Sequence, residues 1–236
     1  GALLAVGVIS GLAPALRAQP RPYIGFVYPA GGQQGASVQI RLGGQNLDGV
    51  HAATVTGAGV TARVVEFHRR LNNQEVQLLR EQLKELKGAP AQEEEASDLI
   101  ARIEKRTREF VQTPACAAIA TVTTIEVAIA PDAEPGEREI RLVTPRGASN
   151  PLPFHVGQLP EHTRKPMPTT PRQVLGKEAQ ALRKRPAGEV EERIVVPCVV
   201  NGQIASGEIN RYRFEARRGQ RLVISTLGRQ LIPFIA

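Results

Sequence analysis

Four histidines, two cysteines, scattered serines and a run of three glutamates carry what reactive chemistry this 236-residue chain offers. Metal sites draw imidazoles and thiolates together at short, repeated spacings. Neither His51, His68, His155 and His162 nor Cys116 and Cys198 stand at such spacings, and no C-x-x-C is present. His155 sits between Phe154 and Val156, which reads as a strand residue facing solvent. A nucleophilic serine needs a base and an orienting acid. The order of residues supplies neither to Ser206 or Ser225, and G-x-S-x-G, H-E-x-x-H and a Walker loop are absent. "GAGV" (57–60) is too short for a dinucleotide fingerprint and runs into a strand, not a helix. Glu93, Glu94 and Glu95 read as an acidic helix start, where carboxylates complement the helix dipole. The sequence therefore assigns no catalytic, cofactor-binding or metal-ligating residue. It predicts a chain that is not an enzyme and holds no cofactor.

The elements that would position these residues are mostly strands. "YIGFVYP" is apolar, "AGGQQG" reads as a turn, and "ASVQIRL" places Val38, Ile40 and Leu42 on one face. "GGQNLDG" interrupts, then "AATV" and "VTARVVEF" resume. The pattern returns at Thr121–Pro131 with Val122, Ile125, Val127 and Ile129, then in "REIRLVT" and "LPFHVG". About seven short strands with turns at this spacing predict an immunoglobulin-like antiparallel β-sandwich over 19–157.

Two helical patterns interrupt it at 66–112. Val76, Leu79, Leu83 and Leu86 form one stripe, ended by Gly88 and Pro90. Leu99, Ile103, Thr107 and Phe110 form the other, capped at Ser97 or Asp98 and stopped at Thr113-Pro114. The two stripes predict a helical hairpin that closes on itself as a short coiled coil or lies on the sandwich. It is either a protruding partner-binding arm or, more simply, a decorated loop whose stripes satisfy each other.

Residues 158–193 hold Pro160, Pro166, Pro168, Pro171 and Pro186 without a sustained apolar period, which predicts a linker. In 194–236 a short strand leads to Tyr212, Phe214 and Ala216, alternating with charged residues, and Leu222–Ile224 are expected to open another strand. Cys116 and Cys198 fall on either side of the linker. They either pair in an oxidising compartment or, as the different domains favour, remain separate small hydrophobes.

Two stretches resemble known families. Gly44-Gln45-Asn46-Leu47, and Pro135-Gly136 through Gly147 and Ser149, resemble the motifs of IPT/TIG domains, an immunoglobulin-like module. Glycine and asparagine there permit tight or left-handed backbone. Asn201-Gly202, Ile204, Gly207, Tyr212, Phe214, Gly219-Gln220 and Leu222 resemble the opening of a bacterial pre-peptidase C-terminal domain, with Asn210 where that family carries Asp. The resemblance implies that 194–236 is an incomplete second β-sandwich. It also implies a place in large exported bacterial proteins.

Composition fits an exported β-protein. Aromatics are 4% and Trp is absent, so a core must rest on Val, Ile, Leu and Ala. The formal charge of +7 is spread along the chain, with its densest clusters at "LRKRP" (182–186) and in the arginines that alternate along the late strand, and this argues against nucleic acid as a partner. "GALLAVGVISGLAPAL" is uncharged and short for a membrane span. Residues 1–18 are expected to be the apolar part of a signal segment without its basic n-region. Cleavage is expected after Ala15 or Ala18, leaving no stable membrane span. The expected protein is a non-catalytic binding or scaffold region in the periplasm, at the cell surface or outside the cell, with a protein or polysaccharide partner there. The alternative is an accessory region of a secreted peptidase or other hydrolase whose catalytic domain lies beyond Ala236.

Overall fold

The computed structural model describes residues 20–69, 71–88, 94–108, 121–165, 187–204 and 209–232, and over these the protein is mainly β. In chain order the first strands are β1 (Tyr23–Tyr28), β2 (Gly31–Gln33), β3 (Ser37–Gln45), β4 (Ala52–Val55) and β5 (Val60–His68). Helices α1 (Asn73–Gly88) and α2 (Glu94–Arg108) follow. The strands resume as β6 (Thr121–Ile129), β7 (Gly136–Thr144), β8 (Gly147–Ala148), β9 (Leu152–Gly157) and β10 (Glu161–Thr163). After a single turn, α3 (Ala187–Val190), come β11 (Glu191–Arg193), β12 (Val199–Asn201) and β13 (Arg211–Arg213).

Two sheets build the main body. One runs β1-β3-β6-β5 and is antiparallel throughout. The other runs β2-β9-β7-β4, with β8 on β7, and is antiparallel except for the β2–β9 pair. Alternation along the strands decides what turns inward. Ile24, Ile40, Leu42 and Ile125 of the first sheet share one hydrophobic cluster with Ile140, Leu142, Leu152 and Phe154 of the second. These eight are at most 2% exposed, and each buried side chain of this size contributes about 1.5–3 kcal/mol.

The G-x-N motif acts through two different constraints. Gly44 lies in β3 where a β-carbon would stand 1.9 Å from the Tyr23 carbonyl oxygen, so the close approach of β1 requires glycine. Asn46 has φ 54° and ends the strand in left-handed backbone. Gly136, the first residue of β7, takes φ 142°, and Gly147, the first of β8, takes 112°.

Three expectations change. "AGGQQG" is not wholly a turn, because Gly31–Gln33 forms β2 and pairs in parallel with β9. A β-carbon on Gly31 would lie 2.6 Å from the His155 carbonyl oxygen; glycine allows this contact and at the same time removes the side-chain alternation that marks a strand. Leu222–Ile224 pair with no strand; Val223 is 83% exposed and Ile224 77%. A ladder needs a neighbouring edge, and the described residues offer none there. Finally, α2 starts at Glu94, so Ser97 and Asp98 lie inside it and do not cap it. The acidic run does open the helix.

The stretch expected to be a linker carries β10 at one end and β11 at the other; β10 pairs with β12 and β11 with β13, both in parallel. Most of its middle, like Cys116, Phe110, residues 1–18 and "LRKRP", lies outside the described residues. Among the described residues no helix is long and apolar enough to cross a membrane.

Candidate functional site

The helical hairpin grows from the joint between two adjacent strands. His68, at the end of β5, is opposite Val122 at the start of β6. An asparagine-led capping box starts α1. Glu75 N–H donates to Asn72 Oδ1 and Asn72 N–H to Glu75 Oε2, both at 2.8 Å. The signal, N-x-x-E before an apolar stripe, is plain in the sequence. Arg69 ion-pairs with the same glutamate, which holds that exposed carboxyl below its usual range.

Val76 is buried and Leu79, Leu83 and Leu86 are half-buried, while nearly all other α1 side chains are exposed, so the first stripe is the packed face. On α2 the packed face is Ala96, Ile100, Ile103 and Thr107; Leu99 is 44% exposed. Ile103 and Thr107 keep their expected places, and Ile100 takes that of Leu99.

Between the helices and the end of β5 lies a groove of about 330 Å3. Leu79, Leu99 and Ile103 line it, with Glu66, His68, Arg102, Lys105 and Arg106 around them. Glu66 anchors the arm to the sheet through an ion pair with Lys105, and its other oxygen is 3.2 Å from His68 Nε2. Burial works to raise the Glu66 carboxyl. The Lys105 hydrogen bond and the His68 charge outweigh it, so the group sits below its ordinary 4.5. Lys87 and Glu104, 2.6 Å apart, tie the two helices together. An apolar floor with a mainly cationic rim can seat an apolar side chain flanked by anionic groups; it offers no nucleophile with a base beside it.

A second cleft, about 400 Å3, opens at the β1 end of the body between Arg21, Tyr23, Arg141, Ser149 and Asn150. Asn150 replaces a strand partner here. Ile24 N–H donates to its Oδ1 at 2.7 Å, and its Nδ2 donates to the Ile24 carbonyl at 2.8 Å.

The densest gathering of titratable groups is elsewhere, where β10 and β12 meet β1. Arg164 is 5% exposed, with its guanidinium carbon 5.2 Å from the centre of the Tyr212 ring. Its Nε is 3.4 Å from Glu192, whose other oxygen is 2.7 Å from His162 Nε2. Burial pushes the Tyr28 phenol up to about 12, with Tyr212 adding and Arg164 opposing, so it is a neutral donor at ordinary pH. Burial also raises the Glu161 carboxyl, against a hydrogen bond from Asn201. These groups face each other across packed strands and not a substrate-sized space.

The residues weighed first for chemistry are dispersed. His51 is exposed, with Nδ1 3.3 Å from the Gly49 carbonyl. His155 is half-buried on β9, opposite Gly31. Cys198 is a free thiol, half-buried; Ser225 is exposed, and Ser206 and Glu93 lie outside the described residues. "GAGV" is a tight turn with Gly57 and Gly59 at φ 90° and 77°. No group of three or more His, Cys, Asp or Glu side chains able to hold a metal occurs among the described residues. Compared with known proteins, the chain matches no protein-family model and no curated protein.

Proposed function

We propose that this chain is a non-catalytic β-module of an exported protein, which binds a protein or polysaccharide partner of the cell envelope through its helical arm. One observation carries the reading. With His68 opposite Val122, a turn of two to five residues would join β5 to β6, yet the chain inserts the whole helical hairpin there. The insertion brings its own cap, its own ion pairs and a groove that the turn does not need.

The strand orders β1-β3-β6-β5 and β2-β9-β7-β4 support reading the body as an immunoglobulin-like sandwich. The tight backbone at Gly44 and Asn46 supports the resemblance to IPT/TIG domains, and the contact of Gly202 with Tyr212 supports that to pre-peptidase C-terminal domains. Export rests on the uncharged run at 1–16 of the segment 1–18.

Two measurements test the proposal. The first fuses the chain to a reporter enzyme that matures only outside the cytoplasm. The second compares binding of purified envelope polysaccharide and envelope proteins by the whole chain and by a variant with residues 70–119 replaced by a short Gly-Ser turn. Reporter activity and binding that disappears with the arm are expected. A silent reporter removes export. Equal binding by both proteins removes the arm as the binding element.

A further inference from the structure

The strands that flank residues 166–186 belong to one another. β10 precedes that stretch and pairs with β12 after it. Glu192 of β11, after the stretch, contacts His162 at 2.7 Å and ion-pairs with Arg164, both before it. A passive connection between two separate bodies would not have both its ends bound into the same small β assembly.

That assembly is also fastened to the main body. The Tyr28 hydroxyl, at the end of β1, lies 2.6 Å from the Arg164 carbonyl and 3.3 Å from the Asn201 carbonyl. The single hydroxyl proton is shared between the two carbonyls: the bond to Arg164 lies before the 166–186 stretch, and the longer one to Asn201 crosses it. Arg164 N–H donates to the same Asn201 carbonyl at 3.1 Å. A β-carbon on Gly202 would lie 2.7 Å from the Tyr212 hydroxyl, so glycine lets the backbone close on the ring that covers Arg164. Farther along, Leu231 packs on the hydrophobic cluster of the main body. A buried guanidinium is costly to desolvate and is retained where its partners are held in place.

We propose that Arg164 and Tyr28 form a non-covalent latch that locks the C-terminal strands to the main body. The two parts then move as one and stay joined when the covalent connection between them is cut. The latch stands on its own geometry, whatever the arm binds.

The test inserts a protease recognition sequence between Pro166 and Pro186 of the full chain and cleaves it to completion. The two pieces of the otherwise unaltered protein are expected to co-elute in size exclusion and to stay paired on dilution. Arg164→Met should weaken their association by at least about tenfold. Tyr28→Phe, which keeps the ring and deletes only the hydroxyl, should weaken it about threefold or more. Should the Met variant fail to fold before cleavage, Tyr28→Phe decides alone. Separation of the unaltered nicked pieces, or unchanged association in the folded variants, overturns the latch.

Discussion

Gly44 and Asn150 show how single residues hold the β1 edge. A methyl group on Gly44 would stand 1.9 Å from the Tyr23 carbonyl oxygen, so Gly44→Ala must part β1 from β3. It should lower stability by about 1–3 kcal/mol or more, read as a shift in the denaturant midpoint. Asn150 answers both backbone groups of Ile24, and Asn150→Ala leaves them without their partner. A loss of about 1–3 kcal/mol is expected in the same measurement. An unchanged midpoint would mean that water serves Ile24 equally well. Glu161 gives a prediction in pH. Its carboxyl is raised above 4.5 by burial, so the folded state holds the proton more tightly than the unfolded chain does. Its contribution is fully present below pH 4.5 and is lost as pH rises through the folded value. Glu161→Gln keeps an acceptor for Asn201 and should flatten that dependence in thermal melts recorded from pH 4 upward. A variant with the same slope as the parent would remove Glu161 as its source.

At the scale of elements, the arm should be separable from the body. Because His68 faces Val122 across the β5–β6 ladder, replacing residues 70–119 with a short Gly-Ser turn closes a ready-made hairpin. Shortening a loop changes closure entropy by only about 0.6 kcal/mol per halving of length. Cooperative unfolding should survive, with the loss confined to contacts such as Lys105–Glu66. A broad, non-cooperative transition would place the arm in the core. Glu66 adds a sign. Its lowered carboxyl contributes stability above pH 4.5 that is lost as pH falls through the folded value, so acid should loosen the arm before the body. The same elements show what was legible. β3, β6, β7 and β9 could be read because their side chains alternate, and α1 because its stripe holds the helical period. β2 could not, since two of its three residues are glycine and carry no side-chain pattern. On α2, Ile103 and Thr107 of the expected stripe lie on the packed face but Ile100 takes the place of Leu99, because two adjacent apolar residues leave the helical period ambiguous there. The Arg164 cluster was illegible for another reason: its members come from β1, β10, β11, β12 and β13, and no local spacing links them.

For the molecule as a whole, burial is uneven. The main body encloses most of its large aliphatic side chains, whereas Val195, Val223 and Ile224 are 85%, 83% and 77% exposed. Exposed apolar chains of this kind drive self-association. Val223→Lys with Ile224→Lys should raise the concentration at which the protein aggregates and leave the melting temperature unchanged. A melting temperature lowered by several degrees would show that these side chains are packed. The parallel pairing of β2 with β9 has a mechanical side. The chain enters the body through β1, which continues into β2, and passes on from β9 to β10; in a parallel pair the start of β2 and the end of β9 lie at opposite ends of the seam. Once β1 has parted from β3 and the strands after β9 have come away, tension along the chain slides β2 and β9 past one another. The bonds from His155 N–H to the Ala30 carbonyl and from Gln34 N–H to the Gly157 carbonyl, each 2.9 Å long, take that load together and not in succession. A seam loaded in shear resists until it gives way all at once.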